Sequence, residues 1–565
     1  MKHVIILVTL LLLLPAVSLA QWGFERDSYT YAIVVKSSTY ADPGWTEVVD
    51  TLALKHNAMV FMYETNINEV HASVSGMAPD YIAFVCKWQD ANPTFAGTIW
   101  EYCRTLDSDV YGDAIWGIIT GFEPEDALRI AQGPESFDVI TVLGGTGSCD
   151  LTHYPQGIST LEATYGRYYT KALNEPDAVE HNDGPTDRTE WLVECLNADS
   201  VNIFITSGHG GHDYWQLHYP TSGLEGHFHS YGDSDCQAVG APYSGPAIEI
   251  NSTNPKIFFG LGNCNIGRIE NLNSMALGWF HTAGAYFYTG YLIPEGSNAH
   301  QHGGTKAYFE RQAHYTWSEA YFLANQALKF DILNSTPGAN PNDLNGSVLY
   351  GDPAMHARVA DIGVYDSLLY SEEVIIDSSG AVWEVTVRVT MNIECTPGYT
   401  SKWGYRHPAV LLPVRVENIT NITHDCHSVV VMDNFVLMYA WFQGETPLSA
   451  GDTREVTFNC GSVEIAEEEY APCRPAQLMQ NCPNPFRVST SIPVDLPEQM
   501  DVSLEVYDLS GRLVITLADD MMTAGSHMIE WNGRDASNDF VPSGIYMYRL
   551  QTGLEVHHRT MLLLP

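Results

Sequence analysis

Two segments of the chain place a histidine and a cysteine directly after apolar, strand-like runs. His209 follows the run 201–206 and stands in Ser-Gly-His-Gly-Gly, and Cys264 follows the run 256–261 and stands in Gly-Asn-Cys-Asn-Ile-Gly. In an open α/β sheet, the groups that act on a ligand lie at the carboxyl ends of the strands. If the two strands are neighbours, the imidazole and the thiol face each other across one cleft.

A thiol beside an imidazole can react as a thiolate, which is the nucleophilic form of cysteine. The pair therefore predicts nucleophilic catalysis by the Cys264 thiolate, with His209 deprotonating the thiol or forming an ion pair with it. The backbone N–H groups of Gly210 and Cys264 are predicted to form the oxyanion hole. The glycines on both sides of His209 allow a sharp turn that exposes the ring.

The histidines near this turn suggest a second chemistry, that of a zinc hydrolase, because imidazoles are common zinc ligands. After a tight glycine turn, their spacing does not place two rings on one helix face. The sequence therefore predicts no metal ligands here, and the zinc hydrolase remains an alternative. The cluster comprises His209, His212, His218, His227 and His229.

The residues from 21 to 360 alternate short apolar runs with stretches of helical periodicity. This alternation predicts an α/β domain whose sheet is doubly wound and covered by helices on both faces. The predicted strands occupy 31–35, 58–63, 81–86, 114–120, 138–143, 201–206, 256–261 and 285–289, and the predicted helices occupy about 45–52, 124–132, 186–196, 274–282 and 317–330.

Four segments of this domain together resemble the gingipain-type cysteine peptidases of the caspase-like clan. They are Ser207-Gly-His-Gly, Gly262-Asn-Cys-Asn-Ile-Gly, Asp109-Val-Tyr-Gly-Asp before a strand, and Leu349-Tyr-Gly-Asp-Pro-Ala. The resemblance covers about residues 28–358. It implies a caspase-like fold and peptide-bond hydrolysis, with Cys264 as nucleophile and His209 as general acid and base. It implies no cofactor for catalysis and is compatible with structural calcium, although no loop shows a specific calcium spacing.

The same resemblance implies a substrate preference. Asp109 falls where the family places an acidic group near the first subsite, which favours a basic residue before the scissile bond. The carboxylate that would orient His209 is left open between Glu101, Asp107 and Asp113.

Beyond about residue 360, helical periodicity gives way to strand-like runs at 382–389, 410–416 and 429–438. They predict an immunoglobulin-like β-sandwich over 361–470, because such a fold takes roughly a hundred residues. A linker at 471–480, which contains proline and cysteine, precedes a second sandwich at 481–565.

The last domain resembles the FlgD-like immunoglobulin-type tail of exported bacterial proteins. The resemblance rests on the segments 480–486, 506–514, 531–535 and 543–546. It implies a role in secretion and surface sorting, as in type IX systems, so that the sorting machinery is a predicted partner besides peptide substrates. The alternative is a β domain that only stabilises the chain.

The first twenty residues have the pattern of a secretory signal, with Lys2 and His3 before the apolar run 4–14 and a cleavage site after Ala20. The run is shorter than the ~20 residues that span a bilayer, so no transmembrane segment is predicted. The 565 residues include 27 Lys and Arg against 68 Asp and Glu, for a net charge of −41. This charge excludes nucleic acid as a partner. Export permits disulfides, but eleven cysteines leave at least one thiol unpaired within a monomer.

These patterns together predict a secreted or cell-surface cysteine endopeptidase with a Cys264–His209 dyad and a preference for a basic residue. The alternative is a caspase-like binding or adhesion protein without activity, which the open question of the acidic partner allows.

Overall fold

A computed structural model describes residues 18–19, 29–232, 235–294, 300–312, 315–362, 367–380, 382–398, 403–462, 477–479, 481, 483–496, 499–508, 512–523, 525–552 and 555–564. The chain forms two compact units. One unit comprises residues 1–57 and 62–465, and the other comprises residues 58–61 and 466–565.

The α/β domain contains a twelve-stranded mixed sheet. Its strands in chain order are β1 (Tyr31–Lys36), β2 (Met59–Tyr63), β3 (Tyr81–Val85), β4 (Ile115–Ile119), β5 (Thr141–Gly144), β6 (Gln156–Thr160), β7 (Tyr168–Lys171), β8 (Val179–His181), β9 (Ile203–Thr206), β10 (Lys256–Gly260), β11 (Ala285–Tyr291) and β12 (Ser347–Tyr350). They are arranged in the order β8-β7-β6-β5-β9-β10-β11-β12-β4-β3-β1-β2.

Two groups of parallel strands in this sheet run in opposite directions. The strands β5, β9, β10 and β11 are parallel to one another. The strands β12, β4, β3 and β1 are also parallel to one another, and β11 meets β12 in antiparallel pairing. As a result, the residues that precede β4 lie at the same edge of the sheet as the residues that follow β9 and β10.

The helices connect these strands. They are α1 (Ser37–Tyr40), α2 (Pro43–His56), α3 (His71–Met77), α4 (Pro93–Arg104), α5 (Pro124–Ala131), α6 (Thr189–Asn197), α7 (Met275–His281), α8 (His300–Ala307) and α9 (Trp317–Leu333), with 3₁₀ turns at Ile67–Val70, Leu151–His153 and Pro341–Leu344 and a π turn at Tyr308–Gln312. A small antiparallel sheet lies between β9 and β10 in the sequence and contains Tyr214–Gln216, His227–Tyr231, Gln237–Ala241 and Ile248–Glu249.

The apolar runs of the sequence form the strands of the core. Every residue of β3, β4, β10 and β11 is buried, as expected for the central strands of an α/β sheet. The prediction of one strand at 138–143 is wrong. The run divides at Ile140 into Ser136–Val139, which pairs with His356–Val359 in a separate sheet, and β5. The run divides because its two parts pair with different partner strands.

Two antiparallel sheets follow the α/β domain in the same unit. One contains Ser18–Leu19, Tyr370–Asp377, Trp383–Met391, Val416–His424 and Thr453–Ser462, and the other contains Ala409–Leu411, Ser428–Val431 and Phe435–Tyr439. These sheets are consistent with the predicted β-sandwich. The predicted signal lies outside the described residues except for Ser18–Leu19, which pairs with 374–375.

Two of the runs predicted in this region were too long. In the run 410–416 the first strand ends at Leu411, two residues before Pro413, which lacks the N–H that a strand ladder requires, and a second strand begins at Val416. The run 429–438 turns at Asp433 and Asn434 and forms a hairpin. Polar and proline residues inside an apolar run therefore mark turns here.

The C-terminal unit contains two further antiparallel sheets. Their strands are Gln477–Leu478, Thr490–Leu496 and Gly525–Trp531 in one sheet and Met500–Asp508, Leu513–Met522, Gly544–Thr552 and Glu555–Leu563 in the other. Alternate residues Val502, Leu504 and Val506 pack with Trp531 and Tyr548 in the core of this unit. The predicted linker 471–480 lies mostly outside the described residues.

Asp352, which follows β12, accepts hydrogen bonds from β1 and α2 in a buried network. Its carboxylate accepts hydrogen bonds from the Tyr31 hydroxyl at 2.9 Å, from Lys55 Nζ at 3.0 Å and from His56 Nε2 at 2.8 Å. Burial alone would raise the pKa of Asp352, but the charges and hydrogen bonds of His56 and Lys55 outweigh burial and hold this pKa below its usual range.

Replacing Asp352 with asparagine is expected to lower the free energy of unfolding by about 2–3 kcal/mol at neutral pH, because hydrogen bonds to a charged group are lost inside the protein. The stabilisation by this carboxylate is complete above the unfolded-state pKa of about 3.9 and is lost as the pH falls toward the lower folded-state pKa. Urea titrations at pH 6 and pH 3 should therefore show a smaller difference between wild type and Asp352→Asn at pH 3. The exposed Asp138→Asn serves as the control, and an equal difference at both pH values would contradict the assignment.

Candidate active site

The strands that precede His209 and Cys264 are direct neighbours in the sheet. β9 and β10 pair in parallel, with Ile203 opposite Ile257 and Thr206 opposite Gly260. The ladder extends past the strand ends, where Leu261 N donates to Thr206 O at 2.9 Å. The two loops therefore leave the sheet side by side at its carboxyl edge, which fulfils the condition on which the predicted Cys264–His209 site depended.

Asn263 links the two loops. Its side chain is fully buried, its Oδ1 accepts from Thr206 Oγ1 at 2.7 Å, and its Nδ2 donates to Gly208 O at 3.2 Å. A Cβ atom at Gly210 would lie 3.1 Å from the Cβ of Asn263. Asn263 thus holds the backbone that precedes His209 and packs closely against Gly210, a role that no residue pattern indicated beyond its place in the motif.

His209 is exposed, and a backbone carbonyl sets its tautomer. Its Nε2 lies 3.0 Å from Pro220 O, and its ring lies 5.1 Å from the ring of Tyr219. Because a carbonyl oxygen only accepts, Nε2 carries the proton in this hydrogen bond. Nδ1 is then the ring nitrogen that can accept a proton.

A buried ion cluster anchors the loop that carries Pro220. Glu225 pairs with the Arg188 guanidinium and with His218 Nδ1, which lies 3.0 Å from Glu225 Oε2. Arg188 also donates to Leu217 O at 2.7 Å and to Thr160 Oγ1 at 2.7 Å. Both ends of the loop 217–226 are thereby attached to the domain core.

Cys264 stands half-buried at the start of a tightly held turn. The next residue, Asn265, has a left-handed φ of 56°, and its N–H donates to Ile293 O at 3.1 Å. Gly267 is required for close packing, because a Cβ there would lie 2.5 Å from Gly290 O. Among the described residues, no backbone carbonyl accepts from the N–H of Gly210 or of Cys264.

The other described cysteines differ from Cys264 in their surroundings. All nine described cysteines have free thiols, and most of them are buried. Two others are half-buried, but burial raises the pKa of Cys195 to about 11 and that of Cys426 to about 12. Cys473 and Cys482 lie outside the described residues.

The acidic residues of the predicted site lie farther along the sheet edge at which His209 and Cys264 lie. Asp109 precedes β4, which is three positions from β10, or about 14 Å at the usual strand spacing. Its Oδ1 accepts from Tyr111 N at 2.6 Å, and none of its described contacts involves His209 or Cys264. Burial, reinforced by Asp107 and Asp433, raises the pKa of Asp109 to about 6.

None of the three candidate carboxylates contacts His209 in the described structure. Glu101 is exposed and lies 3.7 Å from Arg104. Asp107 and Asp113 lie in the loop beside Asp109. Burial and the neighbouring carboxylates raise the pKa of Asp113 to about 8. The group that His209 does contact is the carbonyl of Pro220.

The histidine cluster does not converge on one point. His212 lies 3.2 Å from Asn271 Nδ2, whereas His218 pairs with Glu225 and His229 lies 3.3 Å from Asp213 O. Within the described ranges, the acidic trio Asp107, Asp109 and Asp113 is the group whose ligand atoms approach one another closely enough to hold a metal ion. The histidines therefore give no support to a zinc site.

Comparison with known proteins identifies the C-terminal module. Residues 487–553 match the family described as FlgD Ig-like domain, as the sequence predicted. No curated protein matches the chain. Among the helices that the structure describes, none combines the length and the apolar character needed to cross a membrane.

Several solved structures share limited similarity with the chain. PorZ, described as an essential bacterial surface component of the type-IX secretion system of Porphyromonas gingivalis, is 14% identical over 34% of this chain and 30% of its own, with a TM-score of 0.13. Latent PorU from the same organism is 10% identical over 94% of this chain and 64% of its own, with a TM-score of 0.22. A polysaccharide lyase is 7% identical over 35% of each chain, with a TM-score of 0.13.

The chain thus spans about a third of PorZ and of the lyase and less than two thirds of PorU. TM-scores of 0.13 to 0.22 do not indicate a shared fold. The resemblance to gingipain-type peptidases therefore stays a prediction.

Proposed function

We propose that the α/β domain is a cysteine peptidase with Cys264 as nucleophile and His209 as general acid and base. One observation carries this proposal: β9 and β10 are adjacent, and Asn263 ties together the two loops that bear the thiol and the imidazole. Neighbouring, hydrogen-bonded loops that carry a thiol and an imidazole support covalent catalysis, in which the base has to come within hydrogen-bond reach of the nucleophile.

The tautomer of His209 defines the proton path. Because the Nε2–H of His209 donates a hydrogen bond to Pro220 O, Nδ1 takes the proton of the Cys264 thiol. The thiolate attacks the peptide carbonyl, and the N–H groups of Gly210 and Cys264 stabilise the oxyanion. The proton on Nδ1 then passes to the leaving amine, and water, deprotonated by Nδ1, hydrolyses the thioester.

The C-terminal unit supports a proposal about location. The match to an FlgD Ig-like domain, together with the signal pattern of residues 1–20, favours export and attachment at the cell surface. On this proposal the last domain is recognised by secretion or sorting machinery, while the α/β domain meets its substrates outside the cell.

Alkylation tests the proposed chemistry. Iodoacetamide at pH 7 should modify Cys264 at least about tenfold faster than an ordinary thiol with a pKa of about 8.5, because an adjacent imidazole favours the thiolate. Hydrolysis of a fluorogenic peptide panel should decline in proportion to Cys264 modification, measured by mass spectrometry, and peptide substrate should protect Cys264 but not Cys195.

The same panel separates the rival functions. No hydrolysis and an unactivated Cys264 would overturn the proposal and favour a binding or adhesion protein. Loss of hydrolysis with phenanthroline, combined with indifference to iodoacetamide, would favour a zinc hydrolase. Peptides with Arg, Lys, Asp or Leu before the scissile bond test the prediction that Asp109 favours a basic substrate residue at that position.

A further inference from the structure

A cleft of about 660 Å³ runs along α4. This volume lies in the range of ligand-binding sites. Two residues that line it, Lys36 and Tyr63, are the last residues of β1 and β2, and the carboxyl ends of strands are the usual place for ligands in an α/β sheet. Among the described residues that line the cleft, none belongs to the loops that carry His209 and Cys264.

One face of α4 forms a polar wall of the cleft. The exposed residues of this wall are separated by four, three and four positions and are Thr94, Thr98, Glu101 and Thr105. Residues three or four positions apart lie on the same face of a helix. At 1.5 Å per residue the row is about 16 Å long, so the cleft accommodates an extended oligomer rather than a single small molecule.

Asparagine side chains in the lining are oriented by the protein itself. The Oδ1 of Asn92 accepts two backbone N–H groups in the first turn of α4, each at 3.1 Å. The Oδ1 of Asn66 accepts from Asn68 N at 3.0 Å, and that of Asn345 accepts from Arg104 Nη1 at 2.6 Å. Because the oxygens have these partners, the NH₂ groups are the donors that the three amides present to a ligand. Donors held in place in this way lose little freedom on binding.

Tyr102 supplies an independent observation. It lines the cleft and is only 3% exposed, and its hydroxyl is buried with no hydrogen-bond partner among the described residues. The large majority of buried hydroxyls in folded proteins have a partner. A hydroxyl-bearing ligand in the cleft supplies one.

The charges of the lining disfavour an anionic ligand. The Nζ of Lys36 lies 3.4 Å from Oδ1 of Asp90, which balances its charge. Glu101 adds a second carboxylate to the lining. A phosphate, a nucleotide or an acidic sugar would therefore meet a negative rather than a positive field.

We propose that this cleft binds a neutral oligosaccharide. Sugar hydroxyls both donate and accept hydrogen bonds, which matches a lining of side-chain amides, threonine hydroxyls and carboxylates. Each sugar ring also has an apolar C–H face, which packs on the rings of Tyr63 and the half-buried Phe95. Peptides are typically recognised through a strand edge, an apolar groove or a charged cluster, whereas the polar groups here belong to uncharged side chains for the most part. The cleft is separate from the proposed peptidase site, so the inference does not depend on that function.

Isothermal titration of the full chain with neutral hexasaccharides is the test. The panel comprises maltohexaose, cellohexaose, mannohexaose and N-acetylchitohexaose, and at least one of them should bind with a Kd of about 1 mM or tighter. Gly97 lines the cleft, and a Cβ there would meet nothing closer than Asn345 O at 4.0 Å. Gly97→Trp should therefore fill the cleft while the protein stays folded, and should weaken binding at least about tenfold.

A second glycine provides the matched control. Gly76 lies in α3, where a Cβ would meet nothing within 4 Å, and Gly76→Trp should bind the saccharide as the wild type does. Asn68→Ala removes an exposed amide from the lining and should also weaken binding. This variant keeps the test decisive if Gly97→Trp does not fold, which urea unfolding of each variant establishes.

Three outcomes would overturn the inference. The first is that no hexasaccharide of the panel binds the wild type. The second is unchanged binding in a folded Gly97→Trp protein, or in Asn68→Ala where Gly97→Trp does not fold. The third is that hexagalacturonate or a Gly-Ser hexapeptide binds more tightly than every neutral saccharide. Because the readout is binding rather than hydrolysis, failure here is distinguishable from failure of the peptidase proposal.

Discussion

Replacing Cys264 with alanine is expected to abolish peptide hydrolysis, with a fall in kcat/KM of at least about 1,000-fold. The reason is that alanine cannot form the thioester, so the reaction loses its covalent route. The fold should be unaffected, since Cys264 is half-buried and no described side chain depends on its sulfur. Progress curves with the best peptide of the panel measure the effect.

Three further variants calibrate this result. Cys195→Ala removes another half-buried thiol and should retain wild-type activity. His209→Ala should lower kcat by about 100- to 10,000-fold, the usual contribution of a general acid and base, whereas His212→Ala should have little effect. Full activity in Cys264→Ala would exclude the proposed mechanism.

Removal of the buried Glu225 carboxylate should have the largest effect on stability. Glu225→Ala leaves Arg188 buried without its charged partner and His218 without its acceptor. Breaking a buried ion pair from one side costs about 3–5 kcal/mol. Urea unfolding should show this loss, whereas the exposed Glu249→Ala should change the free energy of unfolding by less than about 0.5 kcal/mol.

Glu225 should also influence catalysis through the position of Pro220. The loop 217–226 holds the carbonyl that orients His209. When its anchor is lost, we expect kcat to fall and the pH–rate profile to change, while KM changes less. Glu225→Gln, which keeps the shape and one acceptor oxygen, should recover part of the activity. Unchanged kinetics in a destabilised Glu225→Ala protein would show that the cluster is structural only.

The sequence supports a correct prediction of most strands of the α/β domain, because continuous apolar runs are favourable only where a strand is buried. β3, β9 and β10 lie within the predicted ranges. The adjacency of β9 and β10 was only a condition of the predicted site, and the strand pairing of the folded sheet decides it. Predictions failed where pairing partners decided the outcome, as in the division of the run 138–143 between two sheets.

The partners of the candidate site could not be predicted in the same way. The carbonyl of Pro220 is a backbone group that every residue type provides, so no residue pattern marks it as the partner of His209. Asn263 was visible only as a member of a motif, and its hydrogen bonds to Thr206 and Gly208 depend on strand register.

By itself, the sequence determined the apolar strands, the acidic charge and the placement of His209 and Cys264 after two of these strands. These properties depend on local composition and periodicity. The tertiary structure alone decided that Arg188 and Glu225 meet in the core and that the Oδ2 of Asp113 is buried with no hydrogen-bond partner among the described residues. Such contacts depend on how distant segments pack, because burial and pairing are properties of the folded surface and not of the residue type.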